Sequence, residues 1–238
     1  MDADLLWRET RRIDAAAMPF VRLVEAGDCP TELLGAYAMD LAALAAGFPQ
    51  LLGGMLAACD RREARRIILA NLLEEDGWTA GPHGLVSNGL DHAALARELA
   101  TTFGVPTDRP LPVVRNRWIR EQLQEGRWLG PLAFVTVGYE ANVPAVFSRL
   151  VSALESRYGY SPAQLRYLRM HVAADAEHGA DGVEVLASAA DSPERAAEAL
   201  DGARRGVTAW YHLHRQYAHR IRAAIPSPSA AGTQRSHL

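Results

Sequence analysis

The chain has 238 residues, of which 49% are hydrophobic and 22% charged, and its net charge is −3. This length is sufficient for one large domain with a sizeable core. A slightly acidic chain without clustered basic residues is not expected to bind nucleic acid. The two cysteines, Cys29 and Cys59, lack metal-site spacing and indicate free thiols in a reducing compartment.

Neither the start of the chain nor its apolar stretches indicate targeting to a membrane. The acidic start, Met1 to Asp4, is unlike a signal peptide. The longest apolar stretch, from about Leu41 to Leu56, is interrupted by glycine and proline and is predicted to be too short for a membrane span. We therefore expect a soluble cytoplasmic protein without a membrane partner.

The first half of the chain is predicted to be helical, because alanine and leucine dominate and alternation of β-branched residues is nearly absent. Thr31 can cap a helix, and Pro49 is expected to break or kink a long apolar run. The glycines between Gly77 and Gly89 predict a loop or an irregular helical segment. The predicted helices cover about residues 4–24, 31–47 and 50–75.

The second half is also predicted to be helical, beginning with a helix from Asp91 to about residue 103. Pro144 predicts a kink, because proline lacks a backbone N–H. Ser161 and Gln164 form a capping-box pattern at the start of a helix. Further helices are predicted over about residues 113–125, 132–158, 161–190 and 191–224, with a loop over about 104–112.

These elements predict an all-α, single-domain bundle of about seven helices. The helical domain is expected to cover residues 1–224, and the composition of residues 225–238 predicts a disordered tail. The stretch from Trp210 to Arg220 predicts an amphipathic closing helix. We expect this helix to contribute to a homodimer interface.

The most informative motif is formed by His171, Asp175 and His178. Spacings of four and three residues place the three side chains on one face of a helix. Two imidazoles and a carboxylate suit a cation such as iron, manganese or zinc. The alternative is a solvated helix face, but the apolar neighbours of the triplet favour a buried position.

A pair of acids and two further histidines are also candidate ligands. Glu74 and Glu75 end a helix, where negative charge interacts unfavourably with the helix dipole. A bound cation is one reason for two acids to occupy this position. His83 lies in the glycine-rich segment, and His92 opens the next helix. Either histidine, taken alone, is more often a plain surface residue.

Glu140 is an isolated acid in an otherwise apolar stretch, from Leu132 to Phe147. A buried, unpaired carboxylate is costly, so Glu140 requires a partner. The sequence leaves two kinds of partner open, an arginine such as Arg149 or Arg169, or a metal ion.

Taken together, these motifs resemble the heme-oxygenase-like diiron oxidases, which are relatives of the TenA/PqqC-type helical proteins. The resemblance extends from about residue 34 to residue 219 and depends most on His-x-x-x-Asp-x-x-His. It implies a heme-oxygenase-like fold, with catalytic roles for Glu74, Glu140 and Asp175. The implied metal ligands are Glu74, His92, Glu140, His171, Asp175 and His178.

Two of these ligand assignments keep an alternative. Glu75 can replace Glu74, because a step of one residue turns a helical side chain by only about 100°. His83 can replace His92, because the gap from Glu74 to His92 is longer than the family's usual one. The resemblance also implies that this helix is ordered only when metal is bound, and Gly179 and Gly182, which follow the last ligand, would permit local unwinding.

The resemblance also implies an activity, the O₂-dependent oxidation of a small metabolite at a centre of two Fe(II) ions. We expect an amino acid or an amino-acid derivative in a biosynthetic pathway, with desaturation, cyclisation, C–C cleavage or N-oxygenation as the outcome. Phe134 and Tyr139 either line the substrate pocket or pack in the core. The alternatives are a metal-free TenA/PqqC-like enzyme and a metal-binding protein without turnover.

Overall fold

The computed structural model describes residues 1–106, 108–111 and 116–224. In these ranges the chain forms ten α-helices and one short β-hairpin, which confirms the predicted all-α class. The strands are β1 (Trp78–Gly81) and β2 (Gly84–Ser87). The helices are α1 (Ala3–Thr10), α2 (Pro19–Ala26), α3 (Thr31–Ala58), α4 (Arg62–Glu75), α5 (His92–Thr102), α6 (Arg117–Gln124), α7 (Leu129–Thr136), α8 (Val143–Tyr158), α9 (Arg166–Ala189) and α10 (Pro193–Ala224).

The N-terminal helix predicted over residues 4–24 is wrong, because the chain turns between α1 and α2. The side chain of Asp14 accepts a hydrogen bond from the Ala16 N–H at 2.8 Å and caps a short 3₁₀ turn. Pro19 then opens α2, where its missing N–H costs nothing. Local capping chemistry therefore divides this segment into two helices.

Pro49 was predicted to break or kink the helix, and a break is wrong, because α3 is a single helix of 28 residues that contains this proline. Both halves are held in the core, the first by Leu34 and Leu41 and the second by Leu52 and Met55. This packing compensates for the hydrogen bond that proline removes. By length and composition alone α3 could cross a membrane, a test that core helices of soluble proteins also pass. The apolar run is therefore not too short for a span.

The glycine-rich segment after α4 forms a β-hairpin rather than a loop or irregular helix. Its strands are antiparallel, with Trp78 opposite Ser87. At the base of the hairpin, Gly77 has a φ of +73°, and a Cβ there would lie 2.8 Å from the Asp91 nitrogen. The end of α4 and the start of α5 are therefore side by side, although a whole hairpin separates them in sequence.

The single helix predicted over 132–158 is divided into α7 and α8. Asn142 closes α7 by donating hydrogen bonds from Nδ2 to the carbonyls of Val137 and Gly138, at 3.0 and 3.2 Å. Pro144 lies in the first turn of α8, so it marks a helix start and not a kink. The irregular turn between the two helices contains Glu140.

The last two helices follow the prediction closely. Ser161 and Gln164 form the capping-box hydrogen bonds, although the regular helix α9 begins only at Arg166. Ser192 Oγ accepts from the Arg195 N–H at 3.2 Å and caps α10. The predicted tail over 225–238 lies outside the described residues, as do residues 113–115 of the helix predicted before α7.

The core consists of two clusters of apolar side chains, and α9 contributes to both. Tyr167 and Leu168 belong to the first cluster, and Val183 and Leu186 to the second. The segment between these pairs carries His171, Asp175 and His178, which form the polar triplet of α9. The turn before α8 follows directly after α7, and α7 positions it. Helix α7 packs closely against α10, because glycines of the two helices face each other. The fold therefore brings the triplet and Glu140 together at the junction of the two clusters.

Candidate metal centre

The polar triplet of α9 points into the protein, as its spacing predicts. His171 and Asp175 are buried, with 7% and 4% of their surface exposed, and the side chain of His178 is 17% exposed. Nδ1 of His171 lies 2.9 Å from the Tyr167 carbonyl oxygen. Because only a protonated Nδ1 can donate to this carbonyl, Nε2 of His171 is left with its lone pair for a ligand.

The β-hairpin brings His92 to the end of α4. His92 is 1% exposed, and its Nδ1 lies 3.0 Å from Oε2 of Glu75. The rings of His92 and His171 are 4.6 Å apart. Glu75, His92 and His171 each offer a ligand atom within 4.8 Å of the other two. These three residues form the first ligand group.

A second ligand group contains Glu140, Asp175 and His178, whose ligand atoms also lie within 4.8 Å of one another. Oε1 of Glu140 accepts a hydrogen bond from Nδ2 of Asn71 at 2.7 Å. Neither arginine considered as its partner reaches Glu140. Arg149 pairs with Glu25 at 2.7 Å, and Arg169 pairs with Glu155 at 2.8 Å.

The two alternatives left by the sequence are placed differently by the structure. Glu75 is buried in the first ligand group, whereas Glu74 lies outside both groups and contacts Nε2 of His178 at 3.0 Å. His83 lies exposed at the turn of the hairpin, outside both groups, whereas His92 is buried in the first. The geometry thus favours Glu75 over Glu74 and His92 over His83.

Several buried polar atoms of the two groups have no hydrogen-bond partner among the described residues. They are Oε2 of Glu140, Nδ1 of His178 and both ring nitrogens of His92, whose Nδ1 lies close to Glu75 without the geometry of a hydrogen bond. Leaving a buried polar atom unpaired costs about 1–3 kcal/mol. Coordination to a metal ion removes this cost, and nitrogen and carboxylate donors without a thiolate suit iron. The residues present therefore fit a metal centre.

The carboxyl groups of the two ligand groups are buried with too little positive charge nearby to stabilise their ionised forms. Burial raises the pKa of Glu75 to about 8. Burial, together with the neighbouring Asp175, also raises the pKa of Glu140 to about 8, and burial raises that of Asp175. Carboxyl groups of this kind gain from a nearby cation, which takes the place of the protons.

The pKa values of the three imidazoles are shifted in opposite directions. Burial lowers the pKa of His92 and of His171, so both rings are neutral, as metal ligands must be. Burial has the same effect on His178, but its contacts with Asp175 and Glu74 outweigh it and raise the pKa to about 11. His178 therefore carries the positive charge nearest to the carboxylates, and a metal ion bound at this ring would take the place of its proton.

Two residues beside the centre were missed at the level of sequence. Asn71 lies one helical turn before Glu75 on α4, and this spacing could have indicated that it faces the same site. Trp210 of α10 lines a small cavity of about 60 Å³ against Glu140, His171 and Asp175. No local sequence signal distinguishes Trp210 from an ordinary core aromatic residue.

Comparison with known families and structures agrees with this geometry. A family model described as "iron-containing redox enzyme" matches residues 36–211. The 4-aminobenzoate synthase of Chlamydia pneumoniae is 26% identical over 166 residues, which cover 67% of this chain and 70% of the relative. The 4-aminobenzoate synthase of Chlamydia muridarum is 27% identical over 173 residues, covering 67% of this chain and 66% of the relative.

Solved structures share the fold at low sequence identity. A domain of unknown function with a heme oxygenase-like fold from Shewanella denitrificans has a TM-score of 0.65 at 13% identity, covering 94% of this chain and 91% of that one. A CADD-like protein of unknown function from Nostoc punctiforme has a TM-score of 0.66 at 15% identity, covering 92% and 97%. A TenA homolog from Pseudomonas syringae has a TM-score of 0.63 at 14% identity, covering 92% and 90%.

The family match covers most of the chain, including both ligand groups, and the fold of the solved structures is the one described above. The buried histidines and carboxylates supply donors suited to iron. The chain therefore belongs to the iron-containing redox enzymes with the heme oxygenase-like fold, and it is an oxidoreductase.

Proposed function

We propose that the protein is a non-heme diiron oxidase that uses O₂ to oxidise a small metabolite. The observation that carries the proposal is the pairing of two buried ligand groups, each with three donors within 4.8 Å of one another. His171 belongs to one group and Asp175 to the other, and both lie on the same face of α9. Two adjacent metal positions are the simplest use of this arrangement.

The proposed ligands are Glu75, His92 and His171 for one iron and Glu140, Asp175 and His178 for the other. Their carboxylates balance three of the four positive charges of two Fe(II) ions, which leaves the centre attractive to an anionic group. Two irons held there would supply the one-electron and oxygen chemistry needed to oxidise a C–H bond or a nitrogen atom.

Other residues of the chain hold the ligands in position. Asn71 fixes one oxygen of Glu140, and the Tyr167 carbonyl fixes the tautomer of His171. Glu74, which we predicted as a ligand, orients His178 through its contact with Nε2. The small cavity of about 60 Å³ beside the ligands admits only a few atoms, so only the reacting end of a substrate enters it.

We further propose that the substrate is an amino acid or an amino-acid derivative. The 4-aminobenzoate synthases among the relatives support this class, because the name of their product denotes a small amino-substituted carboxylate. We also propose a cytoplasmic homodimer. The free, buried thiols of Cys29 and Cys59 are compatible with a reducing compartment. Cell fractionation and light scattering test these two proposals.

The proposed function is tested by anaerobic Fe(II) titration, followed by O₂ consumption with pools of amino acids and their derivatives. We expect two irons per chain and substrate-dependent O₂ uptake in the wild type, and loss of both in His171→Ala. The matched control is His212→Ala, which removes an exposed histidine of α10. Iron binding without O₂ uptake would indicate a protein without turnover, and wild-type iron content in His171→Ala would contradict the ligand assignment.

A further inference from the structure

A large apolar cavity lies next to the metal centre, between α3, α6 and α7. Its volume is about 530 Å³, which is within the range of roughly 300–1,000 Å³ typical of small-molecule sites. Its wall is mainly aliphatic and aromatic. The apolar side chains include Leu44, Phe48, Leu51, Ile119, Leu123 and Phe134.

This cavity adjoins the small cavity that is lined by four of the six proposed ligands, Glu75, Glu140, His171 and Asp175. Leu44, Phe48 and Tyr139 line both of them. The ring of Tyr139 stacks on that of Phe134, with centroids 5.5 Å apart. A molecule in the large cavity that reaches past these three shared side chains therefore meets the metal centre. These three side chains therefore lie between a wide outer chamber and a narrow inner one.

Gly47 lines the outer chamber, and its lack of a side chain leaves space there. A glycine in a helix interior costs about 0.5–1 kcal/mol relative to alanine. Nothing in the structure requires this glycine for packing, because a Cβ at position 47 would meet no atom within 4 Å. By contrast, a Cβ at Gly53, on the same helix, would contact Leu72 at 3.8 Å. The space in front of Gly47 is therefore available to a ligand.

The polar groups of the outer chamber favour an anion. Its polar lining consists of Arg120 and the amides Gln50, Asn116 and Gln124, and the described lining includes no carboxylate. Glu121, the acid next to Arg120 in sequence, pairs with Arg117 at 2.6 Å. No acid lies three or four residues from Arg120 on α6, where a helical ion pair would form.

We propose that the outer chamber binds an amphipathic carboxylate, with an apolar body against α3 and α7 and its carboxylate at Arg120. The opposite end of the molecule extends past Tyr139 to the metal centre. This inference rests on the proposed function, and it narrows the substrate to compounds with an aromatic or aliphatic body. A small polar amino acid, by contrast, would not contact most of this apolar wall.

The test is isothermal titration calorimetry on the full-length protein prepared without iron, with decanoate and 4-phenylbutyrate as probes. We expect at least one carboxylate to bind in a 1:1 ratio. Gly47→Leu places a branched side chain in the chamber, with a Cβ that meets no atom within 4 Å, and should weaken this binding at least tenfold. The matched control, Gly53→Ala, changes a glycine on another face of α3 and should bind as the wild type does.

Arg120→Gln tests the role of charge, with 1-decanol as the uncharged probe. We expect at least fivefold weaker binding of decanoate and unchanged binding of 1-decanol. The inference is overturned if neither carboxylate binds, if Gly47→Leu binds as tightly as the wild type, or if Arg120→Gln weakens both probes equally. Because binding is measured without iron, its failure is separate from a failure of the proposed function, which iron stoichiometry and O₂ uptake report.

Discussion

Gly179 is the residue whose substitution tests most directly how the fold builds the metal centre. It lies on α9 immediately after His178 and packs against the turn that carries Glu140. A Cβ at position 179 would lie 2.9 Å from Cα and 3.0 Å from Cβ of Ala141. Since ordinary contacts begin at 3.4 Å, Gly179→Ala must separate α9 from this turn by about half an ångström or more.

The expected cost follows from two opposing effects. Overpacking costs about 1–3 kcal/mol, and replacing a helical glycine by alanine returns about 0.5–1 kcal/mol. We therefore expect Gly179→Ala to lower the free energy of unfolding by about 1 kcal/mol, and by no more than about 2.5 kcal/mol. The same displacement moves Glu140 away from His178. Because sites tolerate only about 0.5 Å of displacement, we expect iron affinity to fall about 10–100-fold, the usual effect of disturbing the support of a metal ligand.

Urea unfolding of the iron-free protein measures the first effect, and anaerobic Fe(II) titration measures the second. Gly53→Ala is the control, because its new methyl group makes only ordinary contact with Leu72 at 3.8 Å. If Gly179→Ala unfolded at the wild-type urea concentration and bound iron with wild-type affinity, close packing at this position would not be what positions Glu140.

Three further predictions concern the centre and its scaffold. Glu75→Gln should abolish binding of at least one iron, whereas Glu74→Gln should weaken it only about 10–100-fold; equal losses in Fe(II) titration would contradict the distinction. Gly202→Ala, whose Cβ would overlap the Gly130 carbonyl oxygen, should destabilise the protein by about 3 kcal/mol in urea unfolding; wild-type stability would show that α7 and α10 can separate freely. Burial lowers the pKa of His214 from 6.5 to about 4, so the unfolded chain binds the extra proton and stability falls as pH drops through this range. At about 1.4 kcal/mol for each tenfold change in proton affinity, the loss approaches 3 kcal/mol near pH 4. His214→Phe should flatten this dependence, and identical pH slopes for both proteins would refute it.

Local signals in the sequence predicted the elements that depend on local physics. The composition indicated an all-α protein, and helix starts were predicted at Asp91 and at residue 191. At these starts the Asp91 and Ser192 side chains accept hydrogen bonds from backbone N–H groups only three residues away. At Pro49, long-range packing outweighed the local signal. This proline was expected to break or kink the helix, but burial on both sides of it keeps α3 continuous.

The unwinding predicted at Gly179 and Gly182 illustrates the same limit. Glycine lowers the cost of unwinding, and a metal-dependent change in order stays a prediction. The structure gives both residues a packing role in a regular helix, because Cβ atoms there would press on Ala141 and Thr136. Sequence identifies the flexible residue, whereas only the neighbouring element shows that the position requires close approach.

The sequence by itself determined that His171, Asp175 and His178 share one helix face, because the helical repeat is a property of a single segment. It could not decide between Glu74 and Glu75 or name the partner of Glu140. Those answers depend on elements distant in sequence: a hairpin that returns His92 to the end of α4, and a turn packed against α9 through glycines. Only the tertiary structure places Glu75 beside His92 and Glu140 beside Asn71, because side chains on separate elements meet only where packing brings their backbones together.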